Sequence, residues 1–195
     1  MEYEKITDDL SQGSMPSHIA IILDGNGRWA EKRGLNRVEG HREGSENLDR
    51  LIHFFLYLKV PVVSLYAFST ENWKRPISEI NSLWSLMNEF FEKRLNFCRE
   101  NKIKIKISGN ISKLPKKSQD CVNDAVEATK NNKNLIANFC INYGSQDELL
   151  NACNQIVQDR IEAATAGKHR KAVAPVKKKS SKNIFIHTPF LPSIC

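Results

Sequence analysis

Apolar positions along this chain fall into two rhythms that alternate with each other. His18 to Leu23 is a short, β-branched apolar run without alternation, the pattern of a strand buried on both faces. Leu48, Leu51, Ile52, Phe55 and Leu56 then recur every three or four residues and predict a helix. Pro61 to Phe68 is a second apolar strand and ends in the polar stretch Ser69-Thr70-Glu71-Asn72-Trp73. Pro76 precedes Ser78, a predicted N-cap. Ile80, Leu83, Trp84, Met87, Phe90, Phe91, Leu95 and Cys98 hold the helical period over about five turns. Ile103, Ile105 and Ile107 alternate with lysines as a half-exposed strand. A polar-faced helix over 116–130, a strand over 135–141 and a helix over 147–164 follow.

Strands alternating with helices predict an α/β domain over residues 15–165, with a mainly parallel central sheet covered by helices. Ligands of such sheets sit beyond the carboxyl ends of the strands. The segment from Asp24 to Trp29 follows the first strand and Ser69 to Arg75 follows the second, so right-handed crossovers bring both polar segments to one rim.

A chain of 195 residues has room for one sizeable core. Residues 1–14 form a polar extension with no basic-then-apolar leader pattern. No later run reaches the length of a membrane span, which predicts a cytoplasmic protein. The net charge of +7 changes the picture little, because Lys168, Arg170, Lys171, Lys177, Lys178, Lys179 and Lys182 supply it alone. Elsewhere acids and bases balance. Residues 166–183 therefore read as a basic flexible linker and 184–195 as a remnant C-terminal segment. With no aromatic residues interleaved among those charges, nucleic acid is not an expected partner. Cys98, Cys121, Cys140, Cys153 and Cys195 are odd in number and widely spaced, as expected of free thiols.

The chemistry concentrates at His18-Ile-Ala-Ile-Ile-Leu-Asp24-Gly-Asn-Gly-Arg-Trp29, where an apolar strand ends on a carboxylate and enters a glycine-punctuated turn. Gly25 and Gly27 free the backbone to fold around an anion. Amides can point at its oxygens, and Arg28 adds a guanidinium fork, as a diphosphate site requires. Asp24 would repel that anion unless a hard cation such as Mg²⁺ bridges the two.

Asp24-Gly-Asn-Gly-Arg-Trp-Ala, Arg33-Gly, Arg37, Gly40-His41, Tyr66-Ala-Phe-Ser-Thr-Glu-Asn-Trp73 with Arg75-Pro, and Asn142-Tyr143-Gly144 occur in this order. With these motifs the chain resembles the bacterial-type cis-prenyltransferases, the undecaprenyl diphosphate synthase family. The resemblance implies Mg²⁺-dependent condensation of isopentenyl diphosphate with an allylic diphosphate such as farnesyl diphosphate, giving a cis-polyprenyl diphosphate, with a hydrophobic tunnel beside the sheet. Asp24 is then the central catalytic carboxylate and magnesium ligand. Gly25, Asn26, Gly27, Arg28, Trp29, Arg37 and His41 hold the allylic substrate. Asn72 assists proton loss from isopentenyl diphosphate by positioning or relay, and Ser69, Thr70, Glu71, Trp73 and Arg75 line the same site. Leu83, Trp84, Met87, Phe90 and Phe91 supply an apolar trough, or core packing. The family also implies a homodimer and transient contact of the product with a membrane surface.

Family members continue through a segment of the type Leu-Pro-x-x-Asp-Leu-x-Ile-Arg-Thr-Gly-Gly-Glu-x-Arg-x-Ser-Asn-Phe, where the present chain ends at Phe190-Leu-Pro-Ser-Ile-Cys195. Gln146 also stands where arginine is frequent. Without that segment the resemblance leaves the second-substrate motif, a further metal-ligating glutamate and much of the dimer interface unaccounted for, and predicts lowered stability. The alternative expectation is an allylic-diphosphate-binding protein or subunit without turnover of its own.

Overall fold

Among the described residues four parallel strands, β1 (His18–Ile22), β2 (Val62–Ser69), β3 (Ile103–Ser108) and β4 (Leu135–Tyr143), build the central sheet in the order β1-β2-β4-β3. The computed structural model describes residues 15–167. Residues 1–14, the basic run from Lys168 onward and the 184–195 segment lie outside the described residues. The helices are α1 (Asn26–Glu31), α2 (Arg37–Tyr57), α3 (Ile77–Glu100), α4 (Lys116–Thr129) and α5 (Ser145–Thr165), with a 3₁₀ turn over Thr70–Lys74. The predicted parallel α/β architecture is thus the observed one.

Register places Ile21 beside Leu65, Leu65 beside Phe139, and Ile105 beside Ala137. Alternation along each strand sends Val63, Leu65, Ile103, Ile105, Ala137, Phe139 and Ile141 to one face. There they join Leu48, Ile52 and Phe55 of α2 and Ile80, Trp84, Phe91 and Cys98 of α3 in one hydrophobic cluster. The intervening positions carry a buried polar row. Asn138 Nδ2 donates to Ser64 Oγ at 3.1 Å, Ser108 Oγ donates to Asn138 Oδ1 at 3.0 Å, and His18 Nε2 lies 2.9 Å from Ser64 Oγ.

Three expectations need correction. Among the described residues β1 pairs with β2 alone, and Ala20 and Ile22 are exposed, so the strand is only partly buried. Its β-branched composition specifies an extended backbone, whereas its burial depends on where the crossovers place it. α2 begins at Arg37, well before Leu48, because Asn36 and Glu39 form a reciprocal capping box, each accepting the other's backbone amide at 3.1 Å. α3 begins at Ile77 after Pro76, whose carbonyl accepts from the amides of Glu79 and Ile80, so Ser78 lies inside the first turn instead of capping it. α5 leaves Leu149, Leu150, Val157 and Ile161 more than half exposed. Among the described residues no helix is long and apolar enough to cross a membrane.

Candidate active site

The carboxyl ends of β1, β2 and β4 open onto a cleft of about 350 Å³ that α2 and α3 close from the side. Such a volume suits a small-molecule site, for which about 300–1,000 Å³ is usual. Its rim is polar and its floor apolar.

The rim starts at Asp24. Gly25 takes φ of 93°, a left-handed conformation that costs glycine little, and turns the strand directly into α1. The Gly25 amide donates to Asp24 Oδ1 at 2.5 Å and Arg28 Nη2 donates to Oδ2 at 3.1 Å. The Gly25 hydrogen bond first, and Arg28 after it, hold the Asp24 carboxyl below the ordinary aspartate value, so it stands ionised and solvent-facing. α1 lies against α2 through glycines. A methyl group on Gly40 would sit 2.1 Å from the Asn26 carbonyl oxygen, and one on Gly44 would sit 2.4 Å from Asn26 Nδ2. Gly27 is packed under the Arg37 guanidinium in the same way, 2.6 Å from a built Cβ to Cζ. These small residues bring the turn, Arg37 and His41 together.

From the second strand, Ser69, Asn72 and Arg75 reach the same cleft. The Ser69 amide donates to Asn72 Oδ1 at 3.0 Å, which fixes the orientation of the carboxamide on its own turn. Tyr143 stands beside Ser69 in the β2–β4 register, edge-on to Tyr66 at 5.6 Å, and donates to Glu148 Oε2 at 2.5 Å. Burial, then this hydrogen bond, push its pKa upward, so the phenol stays protonated. The apolar part of the cleft is lined by Leu83, Trp84, Leu86, Met87, Phe90 and Phe91 of α3, with Leu48, Phe139 and Ile141 opposite. The five trough residues all reach it, and Trp84 and Phe91 serve the core as well.

Four of the expected substrate-contacting side chains are not on the cleft wall. Trp29 faces outward, with the Arg33 guanidinium stacked 4.2 Å over its ring. Thr70 packs beside Gly144, Glu71 is exposed on the 3₁₀ turn, and Trp73 lies behind Phe68 and Trp84, at 5.3 and 5.7 Å between ring centres. Their neighbours Arg28, Ser69, Asn72 and Arg75 are the ones that face the cleft.

Sequence reading passed over Glu79. Its Oε1 accepts from His41 Nε2 and Arg75 Nη1, each at 3.1 Å, and its Oε2 accepts from Arg37 Nε at 3.2 Å. Burial alone pushes the Glu79 pKa up, yet bonds and charge from His41, Arg37 and Arg75 together hold it below the ordinary value. Its acidic position in a first helical turn reads as dipole compensation, which hid its role.

A parallel sheet thus carries at its carboxyl edge an apolar cleft with a rim of paired arginines and carboxylates. A family description, "Putative undecaprenyl diphosphate synthase", matches residues 22–189. An isoprenyl transferase of Leptospira interrogans serovar copenhageni is 46% identical over 185 residues, covering 95% of this chain and 74% of that protein. One from Oceanobacillus iheyensis is 48% identical over 145 residues, 74% of this chain and 58% of its own length. The crystal structure of lavandulyl diphosphate synthase from Lavandula x intermedia with dimethylallyl diphosphate shares the fold. It has a TM-score of 0.73 and 23% identity over 88% of this chain and 69% of that one. A structure from Campylobacter jejuni, described as a probable undecaprenyl diphosphate synthase, gives a TM-score of 0.66 at 23% identity, covering 88% of this chain and 70% of its own. The chain belongs to the undecaprenyl diphosphate synthase family of isoprenyl transferases.

Proposed function

We propose that this protein condenses isopentenyl diphosphate with an allylic diphosphate such as farnesyl diphosphate to build a cis-polyprenyl diphosphate in the cytoplasm. The carbon–oxygen bond of the allylic diphosphate breaks, and its first carbon bonds to the terminal methylene carbon of isopentenyl diphosphate. A proton leaves the latter as the new double bond forms, and pyrophosphate departs. The observation that carries this reading is the meeting of the Asp24–Arg28 turn with Arg37, His41, Ser69, Asn72 and Arg75 at the mouth of an apolar cleft.

Guanidinium groups of Arg28, Arg37 and Arg75 bind the diphosphate and stabilise charge developing on the leaving group. Amides of Gly25 to Arg28 add donors, and Asn72 orients the second substrate. Aromatic and aliphatic side chains of α3 receive the growing chain and exclude water from its allylic end, extending the cleft into a tunnel. Among the described residues no cluster of three or more His, Cys, Asp or Glu side chains could hold a metal. Asp24, ionised and solvent-facing, fits Mg²⁺ as its single protein carboxylate, since this ion commonly takes one or two carboxylates, phosphate oxygens and waters. Held by Asp24, the ion would supply positive charge to offset the negative charge developing on the departing pyrophosphate. A second copy and a membrane surface meeting the product are the partners in this reading.

Radiolabelled isopentenyl diphosphate with farnesyl diphosphate and Mg²⁺ should yield extended, butanol-extractable polyprenyl diphosphates. An absence of extended product at any substrate concentration refutes the turnover reading.

A further inference from the structure

Every arginine on the cleft rim already has a carboxylate. Arg28 pairs with Asp24 at 3.1 Å, Arg37 with Glu31 at 2.6 Å and with Glu79 at 3.2 Å, and Arg75 with Glu79 at 3.1 Å. Glu79 differs from the other two acids. Asp24 and Glu31 are exposed, whereas Glu79 is buried, and both its oxygens are engaged by basic groups from three separate places: the start of α2, its second turn, and the end of the 3₁₀ turn. The arrangement has the form of an anion already in its binding site.

A diphosphate seeking the same donors meets two obstacles. Glu79 already takes Arg37 Nε and Arg75 Nη1, donors a phosphate would share, and a second anion beside a buried carboxylate is repelled in a weakly screened setting. Glu79 lies in the first turn of α3, whose next turns carry Leu83, Trp84 and Met87 on the cleft wall. The ion pair with Arg37 and the hydrogen bond with His41 tie that turn to α2.

We propose that Glu79 is a displaceable internal counter-anion. It keeps Arg37, His41 and Arg75 assembled until the diphosphate takes them over, and its release then frees the first turn of α3 to move at the cleft entrance. This inference rests on the diphosphate reading of the cleft and assigns the competing group within it. Pyrophosphate leaving after each condensation is met by the same competition, so the carboxylate favours product departure as much as it resists substrate entry.

The test is calorimetric titration of wild-type protein and Glu79→Gln with inorganic pyrophosphate and with farnesyl diphosphate, each with Mg²⁺. Coupling between sites commonly amounts to about 5- to 150-fold in affinity, so the variant should bind both ligands at least about fivefold more tightly. In a steady-state assay its KM for the allylic substrate should fall while kcat also falls, because product release slows. Equal or weaker binding by the variant overturns the inference and makes Glu79 a simple scaffold for the cations. Failure of the wild type to bind either ligand defeats the diphosphate reading itself, and the inference with it. Should the variant not fold, hydrogen exchange of wild-type protein carries the test. The amides of Glu79 and Ile80, which donate to Pro76, should exchange faster with pyrophosphate bound. Unchanged or slower exchange overturns the inference.

Discussion

Trp73 Nε1 donates a 2.8 Å hydrogen bond to Asn142 Oδ1, across 69 positions of sequence. Asn142 is buried in a left-handed backbone conformation, φ 48°, and its Nδ2 donates to the Asn110 carbonyl at 2.6 Å. One carboxamide therefore fastens the 3₁₀ turn that bears Asn72 and Arg75 to the end of β4, and Trp73 acts from behind the cleft.

Replacing Trp73 by Phe keeps the ring contact with Phe68 and Trp84 but leaves Asn142 Oδ1 without its donor. An unsatisfied buried acceptor costs about 1–3 kcal/mol, and urea denaturation should show a loss of that size. Turnover should fall with it, because the turn positioning Asn72 loosens.

Asp24→Asn should separate chemistry from folding. The side chain is exposed and, among the described residues, hydrogen-bonds to Gly25 and Arg28, so denaturation midpoints should correspond to a change within about 0.5 kcal/mol. Loss of the carboxylate proposed to hold Mg²⁺ should lower kcat about 100-fold or more.

Gly40→Ala should disturb the site from beneath. The added methyl would meet the Asn26 carbonyl oxygen at 2.1 Å, and backbone cannot yield as a flexible side chain does, so α1 must lift from α2. Overpacking of this kind costs about 1–3 kcal/mol by chemical denaturation. Affinity for farnesyl diphosphate should fall in parallel, since Asn26 belongs to the turn proposed to bind the diphosphate.

Acid should weaken the fold through Glu79. Its folded pKa is lowered, so its contribution is complete above the ordinary value of 4.5 and is lost as pH falls through the folded value. Wild-type protein should exceed Glu79→Gln in thermal midpoint near neutral pH, where the variant leaves Arg37 and Arg75 short of a partner. Scans at successively lower pH should bring the two midpoints together below 4.5.

Thiol modification should follow burial. Cys98 and Cys140 are buried, and desolvation pushes both up to about 11, so neither is appreciably a thiolate near neutral pH. Peptide mapping after brief iodoacetamide treatment should find Cys153, which is exposed, modified well before them.

What the chain disclosed beforehand was whatever depends on local pattern. The apolar runs located β1, β2 and β4, the period through Ile80 to Cys98 located α3, and crossover handedness brought Asp24 to the same rim as Asn72. Pattern is silent on placement. β1 reads as a buried strand because composition does not encode which neighbours cover it, and Glu79 escaped notice because its three partners, Arg37, His41 and Arg75, meet it only after α2 and α3 have packed. Trp29 and Trp73 came forward with their motifs, yet in the folded chain one covers the outside and the other braces the turn.

The row Ser64, Asn138 and Ser108 on the reverse of the sheet governs the cleft although it never touches it. A one-residue slip between β2 and β4 would exchange the two sides of a strand, carrying the Asn138 amide into the aromatic layer and Phe139 out of it. Every hydrogen bond in the row would be forfeited at once. The reverse side thus acts as a lock on alignment, and the accuracy with which three strand ends converge on the cleft is inherited from a seam of polar groups on the other side of the wall.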